Sequence, residues 1–366
     1  VWGSSCALVA ATLARHAPGP LVIVCPHPAD IDDICDDLAL FTEARPERLP
    51  AWESLATEQS VADDVFGDRL RLLKMLGGEE CPRVVVASIQ GLLQPVPEKQ
   101  TLARQTRRLA VGDTIDVEAL SRWLVEQGFQ HTSAVQLPGE FSARGGILDL
   151  FGPDWYDPVR VELFGDEIES IRRFEVASQR SLGPVDSIEL TVLEPTAADR
   201  EYFTSYLPRG SWILLAEPSL VQDEARHYLG RLENAADVHS LEALLDRIYQ
   251  FPSVTASSIS IGSMETTCRL KIESVERFSG DIAKVRGEVD TAGEGQEVFV
   301  VCQNDAEAKR LGEVFQDTRL AAQGKLHFPL GRLRAGFRLV NDRIVLVGGN
   351  ELFHRADLSR PSRRRL

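Results

Sequence analysis

The sequence predicts an α/β protein in which two parallel-sheet regions flank an α+β module. The first observation is a repeated pattern, in which four or five apolar residues are followed by a turn and an amphipathic helix. Short continuous runs of this kind are typical of buried parallel strands in βαβ units. The second observation is a central stretch of short strands separated by turns, which is the pattern of an antiparallel meander. Two kinds of sheet are therefore expected in one chain.

The repeated strand–helix pattern occurs three times. Its strands are predicted at Leu21–Cys25, Trp212–Ala216 and Val298–Cys302. Its helices are predicted at about Asp30–Phe41, Leu220–Arg231 and Ala306–Phe315. Two further buried strands are expected at Val84–Ala87 and Ile344–Val347. The segments 251–263 and 280–297 are rich in Ser, Gly and acidic residues, and are expected to be loops or linkers.

The middle of the chain begins with a helix and continues as the meander. The helix is predicted at Val117–Gly128, with Asp116 as its N-cap and Gly128 at its end. The strands of the meander are predicted at Gly146–Phe151, Val159–Phe164 and Glu167–Phe174. Gly165 and Asp166 form the turn between the last two strands, so the acidic pair 166–167 is interpreted as part of a hairpin and not as the end of a nucleotide-binding strand.

The strand Val159–Phe164 carries the most informative alternation. Strand geometry places Val159, Val161 and Leu163 on one face, which is the core face. The opposite face carries Arg160, Glu162 and Phe164. An aromatic residue on a charged face either packs under a loop or belongs to a protein-docking surface, where Arg and aromatic residues are enriched. Arg144 precedes a Gly pair that can open a bulge, so alternation does not assign its face.

Composition and charge limit the possible functions. The 366 residues include 55 acidic and 40 basic side chains, which gives a formal net charge of −15. A protein whose whole surface binds nucleic acid is therefore excluded, since phosphate binding needs clustered Lys and Arg. Local basic clusters are present at 104–108 and 355–366. Arg104, Arg107 and Arg108 form the first, and the arginines 355, 360, 363, 364 and 365 form the second.

Two further features bear on class and location. No apolar run is long enough to span a bilayer, and six cysteines without a CxxC motif are typical of a reduced, cytoplasmic protein. The chain begins at Val1 without Met, so we expect a piece of a longer protein.

The N-terminal residues have the outline of a phosphate-binding loop. Gly3, Ser4, Ser5, Cys6 and Ala7 lead directly into a predicted helix. In a working loop, a Lys reaches the phosphates and a Ser or Thr hydroxyl holds the metal. Cys6 stands at the Lys position and Ala7 at the hydroxyl position. A competent nucleotide site is therefore not expected.

An acidic cluster follows the first predicted strand, and it comprises Asp30, Asp32, Asp33, Asp36 and Asp37. Such a cluster can hold a metal, or it can favour a helix N-terminus and continue as a solvated face. The second interpretation is favoured. The seven histidines show no ligand spacing, so no zinc site is predicted. No Ser/His/Asp set is recognisable, and no catalytic residue or metal ligand is predicted.

The central residues carry a specific resemblance. The stretch EFSARGGILDLFGPDWYDPVRVELFGDEIESIRRFE, residues 140–175, closely resembles the second domain of the bacterial transcription-repair coupling factors (Mfd) and is similar to the equivalent domain of UvrB. The motif LPAWESL at 49–55, with Arg69-Leu70 and VVVASIQ at 84–90, resembles the first domain of that family. The resemblance covers nearly the whole chain, and it is specific at 139–175 and loose beyond about residue 230.

The resemblance implies a domain organisation. Residues 1–102 and 194–280 would form a degenerate helicase-like (RecA-like) domain with a parallel sheet, interrupted by an inserted α+β domain at 103–193. A small α/β domain at 281–358 and the start of a linker at 359–366 would follow. The polymerase-binding domain and the motor domains, which use ATP and Mg, would lie beyond residue 366.

The resemblance also implies a function. Members of the family recognise RNA polymerase stalled at DNA damage, displace it by translocating on double-stranded DNA, and recruit UvrA. UvrA binding uses two arginines and an aromatic residue of the second domain, which by motif are Arg144, Arg160 and Phe164. Replacing Arg160 or Phe164 by Ala is then expected to abolish UvrA capture and to leave the fold intact.

The departures from UvrB imply limits on that function. UvrB carries a long damage-probing hairpin, for which residues 53–68 are too few, so this chain is not expected to verify lesions itself. No ATPase activity is expected without the loop lysine. The alternatives are a UvrB-like ATP-dependent enzyme and a DNA-binding repair module.

Overall fold

Sheets of two kinds organise the chain, as the sequence predicts. The computed structural model describes residues 3–53, 63–193, 201–258, 266–275 and 278–353. The strands are β1 (Leu21–Cys25), β2 (Glu47–Leu49), β3 (Val84–Ser88), β4 (Thr106–Ala110), β5 (Gln130–His131), β6 (Glu140–Arg144), β7 (Ile147–Leu150), β8 (Val159–Phe164), β9 (Glu167–Phe174), β10 (Ser181–Pro184), β11 (Ser187–Thr191), β12 (Trp212–Ala216), β13 (Ser253–Ala256), β14 (Ile272–Ser274), β15 (Glu297–Val301), β16 (Leu326–His327), β17 (Phe337–Leu339) and β18 (Ile344–Gly348).

Helices connect and cover these strands. They are α1 (Ser5–His16), α2 (Asp30–Leu38), α3 (Asp64–Gly77), α4 (Ile89–Leu93), α5 (Lys99–Arg104), α6 (Val117–Glu126), α7 (Pro218–Arg231), α8 (Leu241–Ile248), α9 (Ile282–Ala292), α10 (Asp305–Phe315), α11 (Arg319–Ala322) and α12 (Gly349–Leu352). Among the described residues, no helix has both the length and the apolar character needed to cross a lipid bilayer.

The first sheet has five parallel strands in the order β13-β12-β1-β3-β2. Every residue of β1 and β3 is buried, because helices cover both faces, and this explains their unbroken apolar runs. The expected strands Leu21–Cys25 and Trp212–Ala216 are confirmed. The loop expected at 251–263 is wrong in part, because Ser253–Ala256 pairs in parallel with β12. Residues 259–263 of that segment lie outside the described residues.

The six-stranded sheet has the order β10-β9-β8-β7-β6-β5 and is antiparallel apart from the β5–β6 pair. The meander is thereby confirmed, with β8 and β9 at their predicted bounds. Helix α6 packs on one face, where Leu120 and Leu124 join a buried cluster with Val161. The Asp116 carboxylate accepts a hydrogen bond from the Ala119 N–H, which confirms the predicted N-cap. Gly165 has φ +64° and forms the predicted hairpin turn.

The strands β4 and β11 pair with each other, antiparallel, in a small separate sheet. They bring the two ends of the segment between them side by side, and the hydroxyl oxygens of Thr106 and Thr191 are 2.9 Å apart. The predicted domain limits at 103 and 193 lie close to these strands, and the division of the chain at those residues stays a prediction.

The third large sheet is mixed, with the order β14-β17-β18-β15-β16. Its strands β15, β16 and β18 are mutually parallel, and β17 runs against β18. The linker expected at 280–297 is wrong, because α9 occupies most of it. Val285 and Val289, one helical turn apart, are buried under this sheet and anchor the helix. The overall α/β class with a parallel sheet is confirmed.

Candidate protein-docking surface

The six-stranded sheet turns one face away from α6, and we call this its outer face. Two cross-strand rows define it. One row runs Asp149–Arg160–Arg172 across β7, β8 and β9. The next runs Arg144–Ile147–Glu162 across β6, β7 and β8. Neighbours in such rows have Cβ atoms about 5 Å apart, so their side chains interact directly.

Arg160 is held within this face. Its Nε donates to Asp149 Oδ1 at 2.7 Å and its Nη2 donates to Asp149 Oδ2 at 2.8 Å, which is a bidentate pair. Nη2 also donates to Gln179 Oε1 at 3.2 Å, and the guanidinium carbon lies 4.8 Å from the centre of the Phe174 ring. The hydrogen bonds to Asp149 raise the pKa of Arg160. Arg160 is therefore a cation of fixed orientation, and its side chain is only 20% exposed.

A second ion pair continues the pattern. Arg172 Nη2 lies 2.7 Å from Glu162 Oε1, and the Ser170 hydroxyl donates to Glu162 Oε2 at 2.7 Å. Arg160 and Arg172 are directly opposite each other in the sheet, so each needs a carboxylate beside it. Asp149 and Glu162 supply these two carboxylates, so each of these two arginines has its own carboxylate partner.

Phe164 ends β8 and is 80% exposed. The interpretation that it packs under a loop is wrong. The register of β8 and β9 shifts after Glu162, because β9 holds the extra residue Glu169. The irregularity lies in β9, so alternation along β8 continues and Phe164 stays on the same face as Arg160. Ile147, one strand away, is a further apolar side chain of this face and is 40% exposed.

Arg144 lies at the end of β6, where a two-residue turn leads into β7. Arg144 pairs with Ile147, so the Gly145-Gly146 pair forms a tight hairpin and not a bulge. Gly145 has φ +57°, and a Cβ on Gly146 would approach the Leu163 carbonyl oxygen to 2.8 Å. Arg144 is exposed. It lies two strands, about 10 Å, from β8, which carries the other two predicted residues.

The degenerate loop at the N-terminus meets another part of the chain. The Ser4 N–H donates to the Ala335 carbonyl oxygen at 3.2 Å, and the Ala335 N–H donates to Ser4 Oγ at 3.0 Å. A Cβ built on Gly3, which has φ +52°, would lie 2.9 Å from the Ala335 Cβ. Burial raises the pKa of the Cys6 thiol to about 11. Cys6 is thus a neutral group and supplies none of the charge of a loop lysine.

The interpretation of the acidic cluster on α2 is confirmed in part, because Asp30, Asp32 and Asp33 lie in the first turn of the helix and Asp32 and Asp33 are exposed. It is wrong for the remainder of the cluster, which is engaged by another part of the chain. Arg334 lies 3.3 Å from Asp30 and 3.5 Å from Asp33, and Arg332 lies 3.4 Å from Asp36. Asp37 is 4% exposed. The sequence could not reveal this, because the partners lie about 300 positions away. Within the described ranges, no group of three or more His, Cys, Asp or Glu side chains is placed to hold a metal ion.

The basic cluster at 104–108 is partly used in packing. The Arg107 guanidinium carbon lies 3.7 Å from the centre of the Trp123 ring, and Arg108 donates to the Ser187 hydroxyl at 3.3 Å. The arginines of 355–366 lie outside the described residues.

Sequence reasoning missed two residues of the outer face, Ile147 and Asp149. Both follow from the alternation of β7, in which Leu148 and Leu150 are fully buried. The alternation of β7 is visible in the sequence, but it places these residues on the outer face only once β7 is known to pair with β8.

Comparison with known proteins supplies a context for this surface. Residues 108–193 match the family model described as the UvrB interaction domain. The chain is 36% identical over 251 residues to the transcription-repair-coupling factor of Mycobacterium tuberculosis (strain CDC 1551 / Oshkosh), covering 65% of this chain and 20% of that protein. It is 31% identical over 285 residues to the transcription-repair-coupling factor of Escherichia coli (strain K12), covering 76% of this chain and 24% of that protein.

A third relative agrees with these two. The transcription-repair-coupling factor of Bacillus subtilis (strain 168) is 32% identical over 190 residues. The chain therefore spans about a quarter or less of the length of these curated relatives. Residues 108–193 thus match the UvrB interaction domain model, and the chain is similar in sequence to one part of the transcription-repair-coupling factors.

Proposed function

We propose that this chain is the recruiting part of a transcription-repair coupling factor and that it docks UvrA on the outer face of the six-stranded sheet. Phe164 carries this proposal. A large aromatic side chain that is 80% exposed on a rigid strand, inside a matched UvrB interaction domain, has the character of an interface anchor. Ile147 adds apolar area beside it, and we assign both residues to the contact.

The arginines would give the contact its specificity. Arg144 is exposed at the hairpin tip and is available to a carboxylate of the partner. Arg160 is oriented by Asp149, so it would meet the partner with little loss of side-chain entropy. Complementary charges of this kind favour the right partner and speed encounter.

We further propose that this chain binds no ATP and has no ATPase activity. Cys6 and Ala7 replace the two working groups of the loop, and Ala335 contacts the loop backbone. In the full-length relatives, contacts to RNA polymerase and double-stranded DNA, and the use of ATP and Mg, would belong to segments outside these 366 residues. A cytoplasmic location accompanies this proposal.

The test is the affinity of purified UvrA for the chain, measured by isothermal titration calorimetry. Arg144→Ala should weaken binding at least tenfold, because it removes an interface cation without disturbing the β6–β7 turn. Arg122→Ala is the matched control, since Arg122 is an exposed arginine on α6, on the opposite side of the sheet. Equal affinities for the two variants would overturn the proposal.

Arg160 needs a different design. Arg160→Ala alone would leave the part-buried Asp149 carboxylate without its cation, so lost binding could reflect local rearrangement. A double variant, Arg160→Ala with Asp149→Ala, removes both charges together. It should lose UvrA affinity and keep its melting temperature within a few degrees.

The same calorimeter tests the alternatives. Titration with Mg-ATP should give no binding heat, and saturable heat would favour the UvrB-like enzyme. Binding of duplex DNA that weakens steeply with salt would favour the DNA-binding module.

A further inference from the structure

Seven residues of the third sheet region reach across to the first sheet region. We call them the GRLRAGF segment, residues 331–337, which precedes and enters β17. The segment lies against the start of α1 and along α2. Its contacts are of three independent kinds, which involve backbone, apolar and charged groups.

The backbone contacts form a clamp. Ser4 exchanges two hydrogen bonds with Ala335, one through each partner's N–H. Asp37 Oδ1 accepts from the Arg334 N–H at 2.9 Å. Ser4 also donates a side-chain hydrogen bond to Asp37, so the two side chains brace each other around the 334–335 peptide. Two consecutive N–H groups of the segment are thereby satisfied by side chains of the first region.

The apolar contacts form a small core between the two regions. Leu333 and Phe337 are buried and pack in one cluster with Leu8 of α1 and with Leu40 and Phe41 just after α2. The rings of Phe41 and Phe337 are 6.4 Å apart. Helix α2 ends at Leu38, three residues before the predicted Phe41.

The charged contacts surround this core. Arg332 pairs with Asp36, and Arg334 pairs with Asp30 and Asp33. Three carboxylates of one helix thus meet two guanidinium groups of one segment. Such pairs are partly exposed, so each is weak alone and together they fix the register of the segment on the helix.

We propose that the degenerate phosphate loop and α2 are a binding site for the GRLRAGF segment. The Ser4 N–H, a donor that such a loop offers to phosphate oxygens, is taken by the Ala335 carbonyl oxygen. The acidic residues of α2, which would repel a nucleotide, attract the two arginines. The loop that resembles an anion-binding site thus binds a cationic segment of the same chain. This contact holds the third sheet region against the first. The inference is independent of UvrA docking.

Hydrogen exchange of the whole chain, read by mass spectrometry, tests this proposal. In the double variant Arg332→Ala/Arg334→Ala, peptides covering 3–8, 30–41 and 331–337 should all exchange at least tenfold faster. Peptides covering 140–174 should be unchanged. Lys309→Ala/Arg310→Ala is the control, because it removes two exposed cations from α10 of the same region. Faster exchange in 331–337 alone, or in none of the three peptides, would overturn the proposal.

A variant that blocks the segment sterically tests its position on α2 without removing the two arginines. A Cβ on Gly331 would come within 2.2 Å of Leu40 Cδ2, so Gly331→Val should push the segment off α2 with both arginines present. The same three peptides should lose protection, and the proposal fails if they do not. Mg-ATP at 1 mM should change nothing in the unmodified chain, whereas loss of protection at 331–337 on adding it would show that nucleotide still competes for the loop.

Discussion

The outer face of the six-stranded sheet and the α2 side of the first sheet carry the same kinds of side chain and use them in opposite ways. On the outer face, arginines pair with carboxylates of their own sheet, and Phe164 is left exposed. On α2, carboxylates pair with arginines of another region, and the aromatic residue among them, Phe337, is fully buried. Arginine–carboxylate pairs alone therefore do not mark a partner surface, whereas the 80% exposure of Phe164 distinguishes the outer face from the contact that buries Phe337.

The largest expected effect concerns Phe164, the exposed aromatic residue of the outer face. Phe164→Ala should weaken UvrA binding by about 2–4 kcal/mol, the range of an interface hot spot. Calorimetry measures the affinity, and the melting temperature should change by less than a few degrees because the ring is 80% exposed. Val125→Ala, at an exposed apolar residue of α6, is the control. If both variants bind UvrA like the unmodified chain, the open surface serves another purpose.

The second largest effect concerns the contact between helix α3, beside the first sheet, and the loop that precedes β8. Lys74 of α3 lies 2.9 Å from Asp154, whose side chain is almost fully buried in the loop before β8. Lys74→Met keeps the stem and leaves that carboxylate without its cation, so the free energy of unfolding in urea should fall by about 2–3 kcal/mol. Lys309→Met, on an exposed helix face, should change it by less than about 0.5 kcal/mol. Similar losses of unfolding free energy in both variants would contradict a stabilising role for the Lys74–Asp154 ion pair.

The contact between α2 and the GRLRAGF segment should make the free energy of unfolding depend on pH. Burial raises the pKa of Asp37 from 3.8 to about 6. The folded state then binds the proton more tightly than the unfolded state, so the Asp37 contribution to stability grows as pH falls through about 6. Asn keeps the acceptor for the Arg334 N–H and does not titrate. Between pH 7 and pH 5 the stability of the unmodified chain should therefore rise by about 1 kcal/mol relative to Asp37→Asn.

Urea unfolding of both chains at the two pH values measures this difference. Parallel pH curves for the unmodified chain and Asp37→Asn would contradict the assignment.

The smallest effect concerns the ion pairs of the outer face. Arg172 and Glu162 are each about one-third exposed, so Arg172→Ala should lower the free energy of unfolding by less than about 1 kcal/mol. Arg160→Ala should cost more, because its carboxylate partner is more buried and is bound through two hydrogen bonds. Urea unfolding of the two variants side by side gives the order, and a reversed order would contradict the burial argument.

Much of the fold follows from local pattern. Strands such as Leu21–Cys25 are predicted correctly because burial on both faces requires an unbroken apolar run. The face of Arg160 and Phe164 follows from simple alternation. Helix α9 is missed because its buried residues Val285 and Val289 are few among polar ones.

Long-range contacts account for the rest. Arg69 is buried and donates to the carbonyl oxygens of Pro50, Gly91, Gln94 and Pro95, and no short sequence window contains these partners. Its guanidinium also lies 4.8 Å from the centre of the Trp52 ring, which links it to the LPAWESL motif. Residues 54 and 55 of that motif lie outside the described residues. The contact of Ala335 with the degenerate loop could not be predicted either, because Ser4 and Ala335 are more than 300 positions apart.

The pairing of β4 with β11 has a consequence for how this protein could arise. Residues 106–191 leave and return at neighbouring points, and the matched UvrB interaction domain at 108–193 covers nearly the same stretch. A segment whose ends already meet adds little loop-closure entropy to the fold that receives it. The geometry of its two ends is therefore compatible with insertion into a loop of another fold at a small cost in entropy.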